Sequence, residues 1–161
     1  MNRGYTREYY LDLVEKVRKA VPGISLTTDL IVGFPGETDE DFAETLSLVE
    51  EVRFDSAFTF IYSPRKGTPA AKMANQVPEE VKKERIYRLI DLQNKISAEY
   101  MEQLLGCDVE VLVEDVSSEG VVGRTRSNRQ VHFAGNEDLL GKILTVRITK
   151  ASTWSLQGEL V

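Results

Sequence analysis

The sequence predicts an α/β segment followed by a small all-β module, a partial parallel barrel and then a closed one. Three observations carry that prediction. Two apolar runs, Ile24–Val32 and Phe54–Ser63, flank a stretch of helical period. The period changes to simple alternation after Gly106. Glycine, asparagine and serine turns then cut fewer than sixty residues into several short strands.

The first helix is marked by Tyr10, Val14, Val17 and Val21, with Thr6 as its cap and Pro22-Gly23 as its stop. The run from Ile24 to Val32 is too apolar near its end for a half-exposed strand, so burial on both faces of a parallel sheet is expected. Gly33-Phe34-Pro35-Gly36 turns the chain. Thr38-Asp39-Glu40-Asp41 then forms an aspartate-bearing relative of the capping box. Phe42, Leu46, Val49 and Val52 stripe the second helix, and Phe54–Ser63 is a second buried strand. This is one strand–helix–strand unit with a right-handed crossover. After a loop over Ala70–Gln76, Pro78 opens a long helix of about seven turns. Its apolar side reads Val81, Ile86, Leu89, Ile96, Tyr100 and Leu104. The boundary between the two parts is expected near Leu104–Cys107. Two βα layers cannot close a barrel, so the first part should expose apolar surface unless something accompanies it. The chain is therefore read as the back end of a larger protein.

Composition narrows the chemistry. The 161 residues carry 20 basic and 26 acidic side chains, one cysteine and one histidine. One cysteine forms no internal disulfide and no apolar run reaches membrane length, so a cytoplasmic origin is the default. Residues 105–161 hold 6 basic and 8 acidic side chains, so the β module is no nucleic-acid binder by bulk charge. Any RNA contact must rest on a local patch.

Few residues stand out as chemical. The Gly33–Thr38 turn leaves the end of a parallel strand, where α/β barrels place their sites, and its plain reading is a turn with a helix cap. It has neither the lysine of a phosphate loop nor dinucleotide glycine spacing. Asp29 lies among Leu26, Leu30, Ile31 and Val32, and either faces a ligand or joins a structural network. Arg65-Lys66 suit a phosphate or carboxylate, or form a solvated loop. Cys107 reads as a helix-end or core filler and His132 as a strand surface residue. Arg124, Arg126, Asn128 and Arg129 surround one turn. Lys142, Arg147, Lys150 and Trp154 add charge and a ring. Cations and aromatics on a small barrel suit single-stranded nucleic acid. Glu110, Glu114, Asp115, Glu119, Glu137 and Asp138 oppose them, and interdomain packing is the competing reading, with Trp154 then in the core.

The blocks Thr27–Thr38, Phe60–Ala71 and Gly141–Glu159 resemble, in this order, the late βα segment, the next strand and loop, and the end of the TRAM domain of radical S-adenosylmethionine (SAM) methylthiotransferases. Ser63–Pro69 and Thr125–Gly135 are most similar to the branch acting on N6-isopentenyladenosine at tRNA position 37. A related branch modifies a ribosomal-protein aspartate, and its TRAM segment is usually more acidic where Arg126 and Arg129 stand. The resemblance implies a radical-SAM (TIM-like) barrel portion over 1–76, a helix packing on and leaving it over 77–105, and a five-stranded TRAM/OB-like barrel over 106–161. It implies a parent enzyme with two 4Fe-4S clusters and SAM. One cluster would generate a radical that takes hydrogen from adenine C2, and the other would supply sulfur. The family's CxxxCxxC loop and auxiliary cysteines have no counterpart here, so neither cluster nor catalysis is expected of this chain alone. Asp29 and Gly33 would line the SAM pocket. Arg65, Arg124, Arg126, Asn128, Arg129 and Lys150 would contact tRNA at its anticodon region, and the missing N-terminal portion would be the other partner. The alternatives are a non-catalytic RNA-binding or scaffold protein, or the related ribosomal-protein aspartate methylthiotransferase.

Overall fold

The computed structural model describes residues 3–117 and 120–161. Met1, Asn2, Ser118 and Glu119 lie outside them, including the opposing charge expected of Glu119. The chain divides into two compact units, 1–96 and 97–161.

In the first unit, α1 (Arg7–Ala20) starts at Thr6, whose hydroxyl accepts from the Tyr9 amide at 3.3 Å. Strands β1 (Thr27–Val32) and β2 (Ser56–Ile61) pair in parallel, with Asp29 opposite Phe58 and Ile31 opposite Phe60. Both strands are shorter than their apolar runs. Ahead of β1 the Leu26 amide turns to the Asp55 carboxylate at 2.9 Å, which replaces a ladder bond. Between the strands, α2 (Asp39–Val52) carries the expected capping box. Thr38 accepts from the Asp41 amide at 3.2 Å, and the Asp41 carboxylate accepts from the Thr38 amide at 2.9 Å. Val32, Phe42, Val49, Val52 and Phe54 are buried together with Leu89 of α3 (Glu79–Glu102).

The sheet is covered on one face only, which corrects the expectation of burial on both. Phe58 is 72% and Phe60 49% exposed. Two strands have only as many covering elements as α1, α2 and α3 provide, and among the described residues the face bearing Asp29, Ile31, Phe58 and Phe60 receives none. The exposed apolar surface expected of an incomplete α/β layer is thus present.

The second unit is a closed barrel of β3 (Asp108–Ser117), β4 (Gly120–Thr125), β5 (Gln130–Phe133), β6 (Ile143–Ala151) and β7 (Leu156–Leu160), in the order β3-β4-β5-β7-β6. Closure rests on one parallel pair, β5 with β7, where Val131 meets Leu156. Alternate residues fill the centre: Val111, Val113, Val121, Val131, Phe133, Val146, Ile148 and Leu156. Gly158 is required by close approach rather than by a turn. A Cβ there would stand 2.5 Å from both the Arg147 carbonyl and Val146 Cγ1. Trp154 does not join this core. It is 67% exposed, because its turn stands clear of the barrel interior that Leu156 enters.

Candidate functional site

The first candidate region is the turn that leaves β1. Gly33 has φ +74°, a left-handed conformation that favours glycine, and a side chain there would run into Lys82 Cγ. The space beside Gly33 is therefore taken by the long helix. The Gly33 amide donates to Glu37 Oε1 at 2.9 Å, and the same oxygen accepts from Arg85 Nη1 at 2.7 Å. Arg85 also donates to the Glu37 carbonyl at 3.1 Å and to Asp39 at 2.6 Å, and its guanidinium lies 5.6 Å from the Phe42 ring. Lys82, 2% exposed, reaches Glu79 at 2.8 Å and sits 5.8 Å from the Tyr62 ring. Tyr62 in turn meets Phe34 edge-on at 5.2 Å. A hollow of 490 Å³ opens between the turn and the start of α3, lined by Gly36, Glu37, Asp39, Asn75 and Arg85 among others.

This buried network was not legible as a site, although a signal existed. Lys82, Arg85, Leu89, Gln93 and Ile96 recur at helical spacing, so two cations share the stripe of the buried apolar residues. A cation there requires a buried anion, and Glu37 meets it. Asp29 is exposed on the uncovered sheet face opposite Phe58, and Arg65 is exposed in the loop after β2, where its carbonyl accepts from Thr68.

The second region is one rim of the barrel. Arg124, Arg126, Asn128 and Arg129 do gather at the β4–β5 turn, with Asn128 in the left-handed region at φ 62°. Their charges are partly met within the unit. Arg124 donates to Glu114 at 2.9 Å and Arg126 to Glu110 at 2.7 Å, while Arg129 lies 5.7 Å from the Tyr100 ring. Arg126 remains 84% exposed despite its pair. A groove of 350 Å³ runs beside the turn, between Glu110, Glu114, Leu112, Arg124, Arg126 and Ile143. Lys150 is exposed near the end of β6. Cys107 is exposed at the helix end, its Sγ 3.6 Å from the Gln103 carbonyl, so it is not a core filler. His132 is half-exposed on β5.

Residues 102–161 match the TRAM domain family and residues 1–49 the Radical SAM superfamily. Over its full length the chain is 58% identical to a protein of Thermoanaerobacter sp. (strain X514), and 59% identical to proteins of Anoxybacillus flavithermus and Geobacillus kaustophilus. All three bear the name tRNA-2-methylthio-N(6)-dimethylallyladenosine synthase. The chain belongs to the family of these relatives and joins a Radical SAM segment to a TRAM domain. It spans 35% of the Thermoanaerobacter relative and 31% of the other two. The barrel lies within the TRAM match, and strand β1 with its turn at Gly33 lies within the Radical SAM match.

Proposed function

We propose that this chain is part of a tRNA-modifying methylthiotransferase that converts N6-isopentenyladenosine at tRNA position 37 to its 2-methylthio derivative. The observation that carries the reading is 58% identity over the whole chain to an enzyme named for that product. In this reading 1–76 is barrel, 77–105 a connecting helix and 106–161 the TRAM domain, and the protein is cytoplasmic. No helix among the described residues is long and apolar enough to cross a membrane.

The radical chemistry belongs to iron–sulfur clusters and SAM. Cluster irons are held by several thiolates, and Cys107 is the chain's one cysteine. The residues present do not fit a cluster, and no step through one is assigned to them. Toward SAM, Asp29 offers an exposed carboxylate, and Gly33 contributes backbone alone, since Lys82 fills the space beside it.

The barrel's part is to hold tRNA near its anticodon region through Arg124, Arg126, Asn128, Arg129 and Lys150, with Arg65 at the mouth of the α/β unit. Guanidinium groups make directed phosphate contacts without reading base identity. Glu110 and Glu114 compete for the same guanidiniums, so binding by this chain is weak and falls as salt rises. The test is tRNA binding at low salt by the wild-type chain and by the R126E/R129E variant. Lower affinity in the variant, with an unchanged circular dichroism spectrum, supports the assignment. Equal affinity rejects it and leaves the arginines as solvated turn residues.

A further inference from the structure

We propose that Trp154 is a stacking platform for an unpaired base, set on the same barrel rim as the arginine turn. The inference rests on the RNA-binding reading of the barrel and adds the mode of contact. Register places the two turns together. Thr125 of β4 and Arg147 of β6 lie against the early part of β3, opposite Val111 and Asp108, so both strands run toward the rim at which β3 begins. The strands that leave that rim, β5 and β7, are parallel neighbours, with Val131 opposite Leu156. The segments just ahead of that pair, Arg126–Arg129 and Ser152–Ser155, therefore lead from the same rim into neighbouring strands, which run about 4.8 Å apart.

The turn that carries the indole is built to hold one shape. Ser152 Oγ accepts from the Ser155 amide at 3.0 Å and donates to the Ser155 carbonyl at 2.8 Å, and the Ser152 amide bonds the same carbonyl at 2.9 Å. A large apolar ring that is 67% exposed on a cross-braced turn contributes nothing to the barrel core. Lys150 lies two residues before this turn and Arg126 across the rim, both exposed. A flat exposed ring on a rim that also carries cations fits a nucleotide whose base is free to stack while its phosphates meet charge. A duplex keeps its bases stacked on one another and offers no such face.

Trp154 is the chain's one tryptophan, so its fluorescence reports the contact directly. The intact chain is titrated at low salt with a short unstructured oligoribonucleotide, with the same strand annealed to its complement, and with tRNA. Quenching by the single strand and by tRNA, but not by the duplex, is expected. W154A should weaken single-strand binding about 5- to 150-fold, the range found for loss of one stacked base. W154F should keep the larger part of the affinity, which a merely structural role for the turn would not explain. Binding without quenching, or equal single-strand affinity in W154A, overturns the platform and leaves tRNA binding by the arginines standing. Equal binding of duplex and single strand likewise overturns stacking and leaves phosphate contact by the arginines to account for the binding. Absence of any binding to tRNA by the wild-type chain rejects the RNA reading itself, and the platform with it.

Discussion

Replacing Arg85 by methionine tests whether the strand-end turn is held by a buried ion pair. The Arg85 side chain is 4% and that of Glu37 11% exposed, whereas Asp39 is 89% exposed. The Asp39 contact is therefore solvent-screened and contributes little. The Glu37 contact differs, because methionine fills the stem's volume but leaves a carboxylate buried beside apolar groups. Breaking a buried pair from one side costs about 3–5 kcal/mol. Glu37 keeps the Gly33 amide at 2.9 Å, so the low end, about 3 kcal/mol, applies. The double variant E37Q/R85M removes the stranded charge and keeps an acceptor for Gly33, and should return to within about 1 kcal/mol of wild type. Urea unfolding followed by far-UV circular dichroism measures the loss. If R85M unfolds with the wild type, or the double variant is as unstable as the single one, the pair does not hold the turn.

Two further outcomes follow from the barrel. G158A forces a methyl group against the Arg147 carbonyl and Val146, and should destabilise the barrel by about 1–3 kcal/mol in urea unfolding read by Trp154 fluorescence. Arg147 donates twice to Asp108, at 2.7 and 2.8 Å, and these bonds hold the Asp108 carboxyl below its usual range. A carboxyl lowered in the folded state adds stability above its unfolded pKa, and that stability is lost as pH falls through the lower folded value. NMR titration should show Asp108 ionising below the ordinary aspartate range and moving up in R147Q, and no movement would show that the pair is not formed in solution.

The sequence by itself determined the local elements and their order. Thr6 and Thr38 are caps because a hydroxyl at that position meets an orphan amide within its own turn, a relation confined to three residues. The alternation of Val109, Val111 and Val113 marks a strand with one inner face, and the short β runs after Gly106 imply closure because a small sheet otherwise leaves edges. That the α/β unit exposes apolar surface was legible by counting layers, but the apolar runs read as strands buried on both faces, and only the structure showed that the sheet itself is bare on one. Tertiary structure alone decided which charges meet. Glu37 and Arg85 are 48 residues apart in the chain, and nothing local ties a carboxylate after a turn to a guanidinium on a later helix. Glu110 and Glu114 read as general opposition to the arginines, but strand register makes them individual partners of Arg126 and Arg124. Trp154 could stack or fill a core by composition. Its place followed from the β6–β7 pairing, which sends Leu156 inward and leaves the indole on the turn before it.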